Sequence, residues 1–357
     1  MGESEHTEPV FADALFRQKR KHGKFRLVEA PVLERAAVDT HAHVHLLPDP
    51  ALALAQCALR GVDFVCDIVD IHEDAPDTVE RFFGDDGWYA EAAARLAQVA
   101  AASAAVVAAG GDALTHLPEG ADPAAFELPA GVAEAAALPH LRFAVGCHPH
   151  NAKFYDDALE QRLRARLADA RVCSVGEIGL DYHYDFSPRE AQIDAFRRQI
   201  RLAHEAGLPA ALHVREAHDE AFAILQEEGF PQAGTLLHCF DLDWATLEPW
   251  IEAGCFVALG GALTFARCED TRQAVARVPE NRLLTETDAP YMAPEPMRGV
   301  VCGPMHVIFT AARMAEVRGC TPGPARAALL DALRANARAL LDRPATPWQL
   351  AHAKGVQ

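Results

Sequence analysis

The chain has 357 residues, 50% of them hydrophobic and 24% charged, a balance that excludes a mainly disordered, collagenous or coiled-coil protein. With 33 Lys plus Arg against 51 Asp plus Glu, the formal charge is −18, which disfavours a sequence-independent grip on long polyanions. No uninterrupted apolar stretch reaches about 18 residues, and the first thirty residues lack an apolar signal core. Neither membrane insertion nor export by that route is expected. Nine cysteines, at 57, 66, 147, 173, 239, 255, 268, 302 and 320, form no C-x-x-C pair; they indicate reduced thiols and a cytoplasmic location.

Residues 1–36 form a polar N-terminal extension in which RQKRKHGKFR (17–26) holds six basic and no acidic residues, the composition of a solvated, partly disordered arm, with a phosphate-binding arm as the alternative. From Val38 onward, short Val/Ile/Leu-rich runs alternate with amphipathic stretches. The eight runs are VDTHAHVHL (38–46), VDFVCDIVD (62–70), LRFAVGCHPH (141–150), VCSVGEIGLD (172–181), PAALHVR (209–215), GTLLHCF (234–240), CFVALGGAL (255–263) and LLTETDAP (283–290). Strand–helix alternation of this kind is the signature of a parallel sheet wrapped by helices, and eight units predict a single α/β TIM barrel, (β/α)8, over 37–342. A length of 357 also admits two domains, but an open doubly wound sheet needs a Gly-rich phosphate turn after its first strand, and none is present.

Among the helical segments, 187–207 repeats apolar residues at helical spacing and stops at Gly207 and Pro209. Residues 71–140 carry 12 Asp or Glu against two Arg, so this region supplies −10 of the −18. Within it, 91–111 is predicted as the second barrel helix, leaving a loop at 71–90 on the catalytic face and another at 112–140 on the opposite face. Phe82, Phe83, Trp88 and Tyr89 could pack as a lid core or stack on a substrate ring at the cavity mouth. A terminal helix spans 323–342, and a tail, 343–357, follows.

Alternate strand residues share a face, so Asp39, His41 and His43 lie together on the first strand. Alone, an H-x-H pair is weak evidence for a metal. Glu177, His213, His238 and Asp288 lie toward the carboxyl ends of four other strands, which in a barrel face one cavity. Four imidazoles and two carboxylates exceed what one tetrahedral ion uses and imply a two-metal site for Zn, Mg or Mn. The alternative is that several are buried, hydrogen-bonded core residues.

The chain resembles the TatD family of metal-dependent hydrolases and nucleases, within the amidohydrolase-like barrel group. The resemblance rests on DTHAH (39–43), GCHPH (146–150), VGEIGLDYHYD (175–185), SPREAQIDAFRRQI (187–200), LHVREA (212–217), LLHCF (236–240), LLTETDAPYMAP (283–294) and NARALL (336–341), in order along the chain. It implies metal-dependent phosphodiester hydrolysis of the deoxyribonuclease or exonuclease type, with a metal-activated hydroxide as nucleophile. The implied ligands are His41 and His43 for one ion and His213 and His238 for the other, with Glu177 bridging and Asp288 as ligand and proton acceptor.

The family's cationic side chain falls on Arg215, which would grip phosphate oxygens; a salt bridge to Glu216 or Asp219 is its structural alternative. His148 and His150 would contact substrate or a metal-bound water. Asp39 and Glu286 could each orient a ligand imidazole, while His45 and His183 have no clear counterpart. After Arg298 and Gly299 the family continues with charged residues, whereas here Val300, Val301, Cys302 and Gly303 follow. With the acidic 71–90 loop, that departure brings forward a rival, the same metal site cleaving an amide, lactone or ester. A non-catalytic metal-binding protein is a third possibility. The expected partner is a phosphodiester substrate, DNA ends or a smaller phosphorylated molecule.

Overall fold

Residues 16–19, 25–97, 137–184 and 186–353 are described by the structure, a computed structural model. Eight parallel strands run β1 (Ala37–Ala42), β2 (Val62–Asp70), β3 (His140–Gly146), β4 (Val172–Asp181), β5 (Ala210–Arg215), β6 (Thr235–Leu237), β7 (Phe256–Leu259) and β8 (Leu283–Thr285). Each pairs with its neighbour in chain order, from β1 to β8. The predicted runs thus become strands, several ending earlier than the apolar run because the carboxyl ends turn into site loops.

The barrel closes where β8 meets β1. The Thr285 hydroxyl donates to Val38 O at 2.7 Å and the Thr40 hydroxyl to Thr285 O at 3.0 Å. Beyond them Asp288 N donates to His41 O at 2.9 Å and His43 N to Ala289 O at 2.7 Å. Asp39 adds a buried brace, its carboxylate accepting from Thr287 N at 3.0 Å and the Thr287 hydroxyl at 2.6 Å.

Strand alternation sorts side chains into two apolar layers. Val38, Phe64, Cys66, Ile68, Ala144, Cys173, Ala211, Leu236, Ala258 and Leu284 fill the barrel interior, with Ala337, Leu340 and Leu341 of the helix Pro324–Leu341 closing its floor. Opposite-parity residues such as Val65, Val145, Leu212 and Leu283 pack outward against the helices. On β5, β6 and β8 the inward parity continues from Ala211 to His213, from Leu236 to His238 and from Leu284 to Glu286. On these three strands one periodicity builds both the apolar plug and the polar mouth, whereas on β1, whose pairing with β2 shifts register between Asp39 and Ala42, His41 and His43 have the opposite parity to Val38.

The helix Arg189–Ala206 ends where Gly207 adopts φ 66°, a left-handed cap that favours glycine. After the terminal helix, a short helix Pro347–His352 docks on the floor, where the Gln349 amide donates to the carbonyls of Leu167, Asp169 and Val172 at 2.9–3.0 Å.

Two expectations change. The basic run is expected as a solvated, partly disordered arm, yet Arg17–Lys19 and Phe25–Leu27 pair as two antiparallel strands. Phe16, 3% exposed, anchors it with its ring 5.0 Å from Phe309 and beneath the Arg60 guanidinium; apolar residues flanking the charged run hold it to the barrel. Residues 20–24 lie outside the described residues, as do 98–111 of the predicted second helix and 112–136 of the loop after it.

The 71–90 aromatics do not line the cavity mouth. Phe82 is fully buried, packed edge-on against Trp88 at 4.8 Å and near Phe143 at 5.4 Å. Phe83 lies under the Arg171 guanidinium, and the Tyr89 hydroxyl donates to Pro139 O at 3.0 Å. Pro139 and Arg171 precede β3 and β4, so after Asp70 the chain turns down the outer wall and spends its rings on packing.

Candidate metal centre

The polar inward positions converge on Glu177, which β4 carries into the centre of the mouth. Its Oε1 lies 2.7 Å from both His213 Nδ1 and His238 Nε2, while Oε2 lies 3.4 Å from His41 Nε2 and 3.9 Å from His43 Nε2. Asp288 Oδ1 sits across the pair, 4.0 Å from His41 Nε2 and 3.7 Å from His43 Nε2. The His41 and His238 rings stack at 3.9 Å. All six residues expected as ligands thus meet in one cluster. Two ligand-competent groups share its carboxylate: His41, His43 and Glu177, and Glu177, His213 and His238. Gly179 makes the close approach of β4 to β5 possible, because a Cβ there would fall 2.0 Å from His213 O.

Both ring nitrogens of His41, Nδ1 of His238 and Oε2 of Glu286 are buried without a hydrogen-bond partner among the described residues. Orphaned polar atoms of this kind cost about 1–3 kcal/mol each. A cation at the unpaired nitrogens would remove part of that cost, so the donor set fits a divalent metal.

Burial favours a neutral Glu177, but the imidazoles of His238, His41, His148 and His213 outweigh it and hold the carboxyl well below the usual range. His43 is pushed down to about 3 by burial and the His41 ring. The Glu177 and Glu286 carboxylates hold His238 well above its ordinary value against the pull of burial. Burial, reinforced by Glu177 and Glu286 and opposed by His238 and His41, lifts Asp288 to about 6.

The surrounding contacts separate supports from bystanders. Glu286 Oε1 accepts from Cys239 N at 2.6 Å and lies 3.6 Å from His238 Nδ1, beside the imidazole it is expected to orient but beyond a hydrogen bond to it. Asp39 does not orient the H-x-H rings: its carboxylate is spent on Thr287 and His41 N, while His43 Nδ1 donates to Ile68 O at 3.1 Å. His148 and His150 follow β3; His148 Nε2 lies 3.7 Å from Glu177, and the His150 imidazole donates to Asp181 at 2.8 Å. Arg215 ends β5 exposed, its guanidinium 4.9 Å from the Tyr184 ring centre. Among the described residues it makes no ion pair, and Glu216 instead accepts from His183 at 2.7 Å.

Sequence reasoning missed three carboxylates. Asp181, fully buried, accepts from His213 Nε2 at 3.0 Å and from His150 on Oδ2, and from His183 N and Tyr184 N at 2.9 and 3.0 Å on Oδ1. These contacts overcome burial and hold it far below the usual carboxylate range. Its spacing of four from Glu177, on one strand face, was the available signal. Asp67 and Asp74 clamp His45 at 3.0 and 3.1 Å and, against its burial, raise it to about 10. No periodicity marks that triad. Part of the acidic loop charge is therefore neutralised internally, and Glu80 pairs with Arg166 at 2.6 Å.

Left-handed backbone at non-glycine residues gathers around the mouth: Glu216 at φ 53°, Cys239 at 47°, Asp288 at 56° and Met292 at 51°. Such conformations are costly and persist where surrounding contacts enforce them.

A family model described as TatD related DNase matches residues 38–342. An uncharacterised metal-dependent hydrolase of Bacillus subtilis is 35% identical over 178 residues, covering 50% of this chain and 70% of that protein. A 3'-5' ssDNA/RNA exonuclease TatD of Enterobacter lignolyticus is 34% identical over 183 residues, 49% of this chain and 69% of its own length. The crystal structure of a TatD homologue from Escherichia coli superposes with a TM-score of 0.62 at 26% identity, covering 86% of this chain and 98% of that one. No described helix is long and apolar enough to cross a membrane. This chain belongs to the TatD-related DNase family.

Proposed function

We propose that this protein is a metal-dependent phosphodiesterase that removes nucleotides from the ends of single-stranded DNA or RNA in the cytoplasm. The observation that carries this reading is the cluster around Glu177, with its unpaired, buried imidazole nitrogens. His41 and His43, with Glu177 and Asp288, would hold one divalent ion, and His213 and His238, with Glu177, a second. Imidazoles favour Zn and carboxylates admit Mg or Mn. When bound, such ions polarise the phosphoryl group and make water acidic enough to attack near neutral pH.

The chain's own groups supply the rest. Asp288, at the edge of the cluster beside His41 and His43, accepts the proton of the attacking water and returns it to the leaving oxygen. Arg215, free of carboxylate partners among the described residues, presents its planar fork to phosphate oxygens. His148 and His150 border the same space and hydrogen-bond the substrate, while Asp181 fixes the rings of His150 and His213. An apolar rim, with Val301 57% and Tyr291 54% exposed, favours one rival, cleavage of an ester, lactone or amide with an apolar substituent.

The test assays purified protein on single-stranded DNA, RNA and a generic phosphodiester, beside an ester, lactone and amide panel. Mg, Mn or Zn is supplied, with His213→Ala as control. Metal-dependent cleavage of nucleic acid, lost in the control, supports the phosphodiesterase reading. Turnover confined to carbonyl substrates refutes it, and metal binding without turnover of any substrate would leave a non-catalytic binder.

A further inference from the structure

Exposed aromatic rings on this molecule are unevenly distributed. Of the five large exposed ones among the described residues, Phe154, Tyr184, Phe186 and Tyr291 lie in loops that follow strands, on the face of the metal cluster; Phe83 alone belongs to the outer wall. Tyr184 and Phe186, 40% and 55% exposed, are parallel to within 4° with centroids 5.3 Å apart. The pair is held rather than loose. The His150 ring meets both edge-on, at 5.5 Å from Tyr184 and 4.8 Å from Phe186. The Lys153 ammonium donates to Phe186 O at 2.8 Å, and Tyr184 N is tied to Asp181.

Placement gives the pair a use. His150 donates to the same Asp181 oxygen as His213, which in turn contacts Glu177, so three short contacts connect the rings to the cluster. Cations border it: the Arg215 guanidinium lies 4.9 Å from the Tyr184 ring and the Lys153 ammonium 5.1 Å from the Phe154 ring. Aromatic faces interleaved with positive charge beside a mouth are the means by which proteins hold unpaired nucleobases with their phosphates. A base can reach such a face only if its own face is free, at a strand end or in an unstacked single strand.

We propose that Tyr184 and Phe186 form a stacking subsite for the nucleobase adjoining the scissile phosphodiester, selecting strand ends with an unpaired, intact base. The proposal rests on the phosphodiesterase reading above. Loss of the stack on one base should weaken substrate binding about tenfold.

The experiment compares two single-stranded oligonucleotides that differ only in the terminal residue, one bearing a base and the other an abasic sugar. KM and kcat are measured for the wild type, Tyr184→Ala/Phe186→Ala, and Tyr184→Phe/Phe186→Tyr as the conservative pair. The wild type and the conservative pair should show a KM about tenfold lower for the base-bearing oligonucleotide, and the double alanine variant should lose that preference. Retention of the preference in the alanine variant, or its absence in the wild type, overturns the subsite while leaving the phosphodiesterase reading intact. If the wild type cleaves neither oligonucleotide with Mg, Mn or Zn, that reading fails, and the subsite falls with it.

Discussion

Replacing Asp181 by Asn separates two functions that one carboxylate combines. Oδ1 accepts from the backbone N–H groups of His183 and Tyr184, and Oδ2 from the imidazoles of His150 and His213. Asparagine keeps a carbonyl oxygen for the turn but puts an amide NH2 where the imidazoles need an acceptor. His213 would then present an unprotonated Nε2 to that amide, moving its proton to Nδ1, the nitrogen that faces Glu177 at 2.7 Å. A ligand imidazole held in the wrong tautomer binds metal poorly, and loss of such outer partners costs about 10- to 100-fold in affinity, or roughly 1.4–2.7 kcal/mol. Calorimetric titration of the metal-free protein with Zn or Mn should show that loss for Asp181→Asn, while near-UV circular dichroism keeps its native shape. Asp181→Ala should lose the turn contacts as well and unfold at a lower temperature. Unchanged metal affinity in a natively folded Asp181→Asn protein would refute the positioning argument.

Further substitutions test other parts of the argument. Asp288→Asn should lower kcat by at least about 100-fold in a natively folded protein, measured as metal-dependent phosphodiester turnover; a near-wild-type rate would remove Asp288 as proton acceptor. Phe82→Ala should cost about 3–5 kcal/mol in urea unfolding, because the side chain is fully buried, without raising KM for substrate; a selective rise in KM would return this loop to the mouth. Glu34 is held near 2, below its ordinary 4.5, chiefly by Arg326, whose guanidinium meets it at 2.6 and 2.8 Å. About 1.4 kcal/mol per unit, reduced for the quarter of the side chain that is exposed, leaves about 1–2 kcal/mol. Because the folded pKa is depressed, this stability is fully present above about pH 4.5 and lost as pH falls toward 2. Glu34→Gln should therefore destabilise the protein at pH 7 and converge with wild type near pH 2 in denaturant titrations; a pH-independent difference would refute the ion pair's role.

The barrel and its ligand-competent residues were legible because both depend on the short period of a strand. Val62–Asp70 and Val172–Asp181 were bounded correctly from apolar runs alone, and the same parity that buries Ala211, Leu236 and Leu284 presents His213, His238 and Glu286. Where a strand ended was less legible. Val38–Leu46 reads as one run although β1 stops at Ala42, because the chain beyond it is bent by hydrogen bonds to residues distant in sequence, His43 N to Ala289 O and Val44 N to the Asp67 carboxylate.

What remained for tertiary structure were pairings between residues far apart in the chain, whose spacing leaves no period to detect. Asp67 and Asp74 close on His45 across the β1–β2 connection, while Asp39 turns to Thr287, 248 residues away, instead of to the imidazoles beside it. The aromatic residues at 82–89 carried the composition of either a core or a stacking surface; their direction was decided by Phe143, Pro139 and Arg171, reached only when the chain descends the outer wall. Sequence alone determined which residue types could meet at the barrel mouth, through strand parity. The assembled fold decided which carboxylate serves which imidazole, because a hydrogen bond depends on distance in space and not on separation along the chain.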